Sequence, residues 1–120
     1  MSWEIILVPE VHDWFMALDD ISASLVQDSV ELLAERGPAL GRPAVDRITG
    51  SRLHNLKELR PGSAGKTEIR ILFIFGPQRQ AVLLVAGDKA GNWTRWHRDA
   101  VKLSEDRYAR YLAIPPEEIR

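Results

Sequence analysis

Cysteine is absent from this chain, which excludes a disulfide framework, a thiolate metal site and a cysteine nucleophile. Histidine is scarce, at three residues, and His12 beside Asp13 is too isolated to suggest a metal centre. No apolar run approaches the ~20 residues that a membrane-spanning helix needs. The opening segment already carries Glu4 and lacks the basic stretch and apolar run of a secretory leader. Repeats and low-complexity tracts are missing as well. The expectation is a cytoplasmic protein with no membrane partner, no metal and no other cofactor.

A strong net charge is also lacking, since 16 basic and 17 acidic side chains leave a formal charge of -1. That near-neutrality is an average over unlike regions. Residues 1–50 hold nine acidic and three basic side chains, whereas residues 51–98 hold nine basic and three acidic ones. A basic middle on a near-neutral protein is the footprint of a polyanion-binding face with an acidic back. The other reading is that charges scatter around a small surface whatever their order in sequence. With 120 residues the chain is long enough to bury a core, and residues 1–114 are expected to form one domain followed by a tail, 115–120.

Hydrophobic periodicity orders the elements. Trp3–Val8 reads as a strand stopped by Pro9. Val11, Trp14, Phe15 and Leu18 then fall on one face of a short helix. Ser22 is the expected cap of a second helix that runs to Arg36 and ends at Gly37-Pro38. The segment 39–51 reads as a loop lying along a sheet. Strands are expected at about 54–60, 67–76 and 81–87, the last two apolar enough for central strands covered on both faces. Asn92 is the expected cap of a helix carrying Trp93, Trp96, Ala100 and Leu103. Ser104 is the expected cap of a separate last helix ending at Ile114, with Leu103 and Tyr108 as its hydrophobic staple. The order β-α-α-β-β-β-α predicts an α+β domain, a small mostly antiparallel sheet with an N-terminal helical hairpin and a C-terminal helix.

The stretch from His54 to Arg70, H-N-L-K-E-L-R-P-G-S-A-G-K-T-E-I-R, concentrates the chemistry. It threads His54, Lys57, Glu58, Arg60, Lys66 and Arg70 through two strand-like segments around a turn, and runs into the apolar strand I-L-F-I-F. Side chains of both signs on a rigid sheet suit work on an anionic substrate, and RNA is the substrate they point to.

Here the chain resembles the RelE/ParE superfamily of type II toxin–antitoxin toxins, in particular its HigB-like, phage-derived branch. The residues that carry the resemblance are W-E-I, P-E-V-H-D-W-F, G-P-A-L-G-R-P-A-V-D, H-N-L-K-E-L-R-P-G-S, I-R-I-L-F-I-F and G-D-K-A-G-N-W-T-R-W. These motifs occur in order along nearly the whole chain. The resemblance implies a RelE-like fold and a toxin that cleaves messenger RNA in the ribosomal A site without metal. It also implies a cognate antitoxin, often a small helix-turn-helix repressor (HigA-like). The family's Leu-Arg before a Ser-Gly turn falls on Leu59-Arg60, and the arginine opening its central strand falls on Arg70. Its basic residue after the last strand falls near Lys89, with Arg95 as a substitute, and its terminal-helix tyrosine falls on His97. The chain departs from the pattern at Glu58, where RelE has a lysine, and in its low isoelectric point.

Metal-free RNA cleavage requires a base near the 2′-hydroxyl, an acid near the departing 5′-oxygen and positive charge on the phosphate. His54 and Glu58, four apart on the expected strand, are both candidate bases, and Arg60 continues their face. Arg70 is the candidate phosphate clamp, because a guanidinium forks onto phosphate oxygens. His97 is the candidate acid, since imidazole titrates near neutral pH. Lys57, Lys66, Lys89, Arg95, Arg98 and Arg60 are the candidate RNA contacts. The structural alternatives stay open: His54 as a strand-end cap, Glu58 as an ion-pair partner of Arg60 or Arg70, and His97 as a packed helix residue. Two other functions compete, a non-enzymatic DNA gyrase poison of the ParE kind and an inactive phage-derived regulator.

Overall fold

Two apolar runs, Ile69–Gly76 and Gln80–Asp88, dictate the centre of the molecule. In the computed structural model, which describes residues 2–91 and 93–115, they form β4 and β5 and lie inside a five-stranded sheet. Ile71, Leu72, Phe73, Ala81, Val82 and Leu84 have no exposed surface. Each of the larger side chains among them contributes ~1.5–3 kcal/mol of burial free energy, so this pair anchors the fold. The hairpin between them turns through Gln78 and Arg79, both at positive φ.

The remaining elements are β1 (Glu4–Leu7), α1 (Pro9–Met16), α2 (Asp20–Arg36), β2 (Val45–Arg47), β3 (Lys57–Leu59) and α3 (Trp93–Leu112). The strand order is β1-β5-β4-β3-β2, with β1 parallel to β5 and every other pairing antiparallel. This is an α+β fold with an N-terminal helical hairpin and a C-terminal helix. No helix among the described residues is long and apolar enough to cross a membrane.

The expected elements differ from the observed ones in five places, one of them β3, which spans Lys57–Leu59 rather than about 54–60. Pro9 ends β1 but also opens α1 at its first position, where its missing N–H is not needed. Asp19, not Ser22, caps α2: its carboxylate accepts from the Ser22 backbone N–H at 3.4 Å, and Ser22 is buried inside the first turn. The segment 39–51 contains β2, three residues long, whose Asp46 pairs with Glu58. The two expected C-terminal helices are one. Ser104 sits mid-helix, wholly buried, and its hydroxyl donates to the Ala100 carbonyl at 2.8 Å, which accommodates a serine without a break. Leu103 is 40% exposed, so the staple is not made. Asn92 and the tail beyond Pro115 lie outside the described residues.

α1 and α2 cover the sheet face that carries Ile71 and Leu83. α3 covers the other face, where the Trp96 indole lies against Gly87 so closely that a Cβ there would stand 2.7 Å from Nε1. Polar contacts fasten α3 along its length. Arg110 forks onto Glu10 at 2.7 and 2.6 Å, and Arg107 adds an ion pair to Glu10 at 3.7 Å and donates to the Leu84 carbonyl at 2.9 Å. The Tyr111 hydroxyl donates to Gln80 at 2.7 Å. These cations hold the Glu10 carboxyl at about 2, the Arg110 hydrogen bonds being the largest cause.

Candidate functional site

β3 alternates its side chains, so Lys57 and Leu59 face one way and Glu58 the other. Cross-strand pairing then stacks Asp46 beside Glu58 on the same face, with Arg60 two residues further along the chain. On β4 the position equivalent to this face is held by Arg70, whose register partner on β5 is Gly87. The result is a row of ionised groups on the side of the sheet that α3 covers.

Glu58 is the hub, with a side chain only 4% exposed. It accepts from Arg60 Nε at 3.0 Å and lies 3.8 Å from Arg70 Nε. Arg60 reaches on to Asp46 at 3.2 Å, and Asp46 in turn accepts from Arg42 at 3.0 Å. The Arg47 backbone N–H and then Arg42 hold the Asp46 carboxyl below the usual carboxylate range. Arg70 donates one hydrogen bond to the Ile69 carbonyl at 2.7 Å, while its buried Nε makes no hydrogen bond among the described residues. Lys89, just past β5, is 5% exposed. Burial is the largest cause that pulls its ammonium pKa down; Glu58 opposes that shift, and Arg70 and Arg60 reinforce it. Buried cations around one carboxylate in low dielectric interact far more strongly than surface charges do.

Glu58, Arg60, Arg70 and Lys89 therefore share one patch. His54 does not share a strand face with Glu58, because β3 begins only at Lys57 and His54 stands exposed in the turn before it. Before β3 the chain is tied to α3: Glu105 accepts from Ser51 Oγ at 2.9 Å, the Arg52 backbone N–H at 2.8 Å and Arg52 Nε at 3.3 Å. His97 is half-buried on α3, next in sequence to the Trp96 that covers Gly87, and its Nδ1 is inside the protein. Lys57 lies on the opposite strand face, in a shallow depression shared with Arg42, Asp46 and Arg47. Lys66, Arg95 and Arg98 are exposed; Lys66 is on the β3–β4 turn, and Arg95 lines a groove between β5 and α3 with Asp88, Asp99 and Arg107.

Two members of the site escaped sequence reasoning. Asp46 lies in a three-residue strand, too short for alternation to show. Glu105 ties the segment just before His54 to α3, a contact that nothing local in the sequence signals. Among the described residues no cluster of histidine, aspartate and glutamate has the grouping of a metal site.

Comparison with known proteins agrees with this fold and with the motif order. The family model of phage-derived Gp49-like proteins (DUF891) matches residues 13–109. HigB3 of Mycobacterium tuberculosis, which carries a toxin designation, is 48% identical over 109 residues, covering 91% of this chain and 93% of its own. HigB2 of the same organism, with the same designation, is 49% identical over 106 residues, but the chain spans only 53% of its length. Among solved structures, an arginine-substituted variant of the E. coli toxin RelE in its free state superposes with a TM-score of 0.60 at 8% identity. That match covers 92% of this chain and 98% of the other, and it shows a shared fold.

Proposed function

The chain belongs to the Gp49-like family of phage-derived proteins, and from that membership we propose that it is the toxin of a type II toxin–antitoxin pair that cleaves messenger RNA on the ribosome. Its partners on this reading are a neutralising antitoxin, the ribosome and the message, and the toxin domain is residues 1–114. One observation carries the chemistry. The Arg70 side chain is 17% exposed, with a buried Nε that makes no hydrogen bond among the described residues, and it lies beside the carboxylate of Glu58 and near the cations Arg60 and Lys89. A donor held ready in low dielectric is what a developing phosphorane oxyanion needs.

The reaction begins when the 2′-oxygen attacks the adjacent phosphorus and its proton passes to Glu58. The 5′-oxygen then leaves and takes a proton from His97. The products are a 2′,3′-cyclic phosphate and a 5′-hydroxyl. Arg70 and Arg60 bear the charge on the non-bridging oxygens, and Lys89 adds a further positive charge to the patch. Each proton transfer contributes about 10²–10⁴-fold. His54, Lys57, Lys66, Arg95 and Arg98 act further out, as contacts to the RNA backbone, which makes binding fall as salt rises.

The test is to map 5′ ends of messenger RNA after incubation with the purified protein, with and without translating ribosomes. Cleavage at A-site codons only when ribosomes are present, and its loss in Arg70→Ala that retains a native circular dichroism spectrum, is the expected result. Intact RNA in both reactions from folded protein would refute the nuclease reading.

A further inference from the structure

The sheet face opposite the ionised row carries a second feature. A groove of about 280 Å³ opens between the helical hairpin and the sheet, lined by Leu7, Val11, Trp14, Phe15, Val26 and Val30 with Ile71 and Leu83 at its floor. Gln27 supplies its polar edge. Trp14, Phe15 and Val30 are only half-buried there, and elsewhere on the same hairpin Met16, the last residue of α1, is 68% exposed and Ile21, in the first turn of α2, 64%. Half-buried aromatic side chains lining an open groove mark a place where a partner can cover them.

The charge at its border says what fits. On α2, Asp20, Gln27 and Glu31 fall at i, i+7 and i+11, one stripe along the rim, and Gln27 donates to Glu31 at 3.2 Å. Over residues 9–36 the hairpin carries Glu10, Asp13, Asp19, Asp20, Asp28, Glu31 and Glu35 against Arg36 as its one lysine or arginine. The volume, 280 Å³, lies below the ~300–1,000 Å³ of pockets that enclose a drug-sized ligand, so it fits a few side chains projecting from a larger body. We propose that this groove receives the apolar stripe of a basic amphipathic helix from a protein partner, with lysines or arginines of that helix meeting the Asp20–Glu31 rim. The docking mode is a helix in a groove, read as anchors three and four residues apart. Because Ile71 and Arg70 point to opposite faces of β4, such a partner leaves the ionised row open. One protein face then binds a cationic partner while the other meets an anionic substrate.

A library of synthetic 18-residue helices with a fixed leucine stripe, flanks randomised among lysine, glutamate, serine and glutamine, provides the probe. Selection on the folded chain is expected to enrich lysine flanks, and fluorescence anisotropy reads the affinity of the selected peptides. Gln27→Trp fills the mouth from an exposed position, and Asp20→Lys with Glu31→Lys reverses the rim; each is expected to weaken binding at least tenfold while circular dichroism stays native. Acidic or neutral winners, an absence of binders, or affinity untouched by Gln27→Trp would overturn the proposal. Self-association of the chain alone, lost in Gln27→Trp, would overturn it in favour of a second copy as occupant.

Discussion

Replacing Glu58 by glutamine removes the most buried carboxylate from a row of largely covered cations. The Glu58 side chain is 4% exposed, Arg70 17% and Arg60 35%, so water screens the first two poorly. Taking one partner from a buried ion pair costs about 3–5 kcal/mol, because the charges left behind remain desolvated. Two features place this case at the lower end. Arg60 keeps Asp46 at 3.2 Å, and the amide oxygen still accepts one hydrogen bond. The expected loss is about 3 kcal/mol, which at roughly 4 °C per kcal/mol lowers the melting temperature by about 12 °C. Urea denaturation at neutral pH measures it. A second arm separates charge from packing. Inorganic phosphate that binds only the folded variant stabilises it by about 1.4 kcal/mol at ten times its Kd, and gains less on the wild type, whose arginines already hold a carboxylate. Cleavage in the same variant is expected to drop by about 10²–10⁴-fold if Glu58 takes the proton. A loss below about 1 kcal/mol, or equal stabilisation of both proteins by phosphate, would refute the electrostatic account of this patch.

Glu10→Gln tests the clamp on α3. The folded carboxyl sits at about 2, below its usual value of 4.5, so its contribution is fully present above about 4.5 and disappears as pH falls to 2. Because Glu10 is 39% exposed the contribution is discounted for screening, to about 1 kcal/mol at pH 7; equal stability of the two proteins at pH 7 would contradict it. Gly87→Ala places a methyl 2.7 Å from the Trp96 indole, and overpacking of this kind costs ~1–3 kcal/mol with a shift in tryptophan fluorescence. Ser104→Ala should change stability by less than about 0.5 kcal/mol, since a back-bonded mid-helix serine stabilises little, whereas a true cap would lose about 1 kcal/mol in urea titrations.

How much of this was legible depends on how local each signal is. β4 and β5 announce themselves, because a strand covered on both faces is nearly continuous in apolar residues, as in the five from Ile71 to Phe75 and the six from Ala81 to Ala86. The helical stripe Val11, Trp14, Phe15 and Leu18 is equally self-contained. Caps were not, since Asp19 and Ser22 both have the chemistry of a cap and only the backbone geometry chooses between them. Ser104 misled for the same reason: a serine followed by acids reads as a start, and its burial against the sheet is a tertiary fact. In the site, Arg60 and Arg70 could be placed by strand parity. His54 could not, because β3 begins only at Lys57 and the segment before it is tied through Ser51 and Arg52 to Glu105, far along the chain.

The parallel pairing of β1 with β5 has a consequence for how the protein is made. It joins Glu4 to Gln80, Ile5 to Ala81 and Leu7 to Leu83, so the first strand has no neighbour until most of the chain exists. Long-range pairing of this kind folds in milliseconds to seconds, slower than local helix formation. Lys89 and the covering helix come later still, so the ionised patch is the last feature to mature on a nascent chain. Translation at ~5–20 residues per second leaves the ribosome that makes this molecule an interval of several seconds in which most of the polypeptide has been synthesised and the patch does not yet exist.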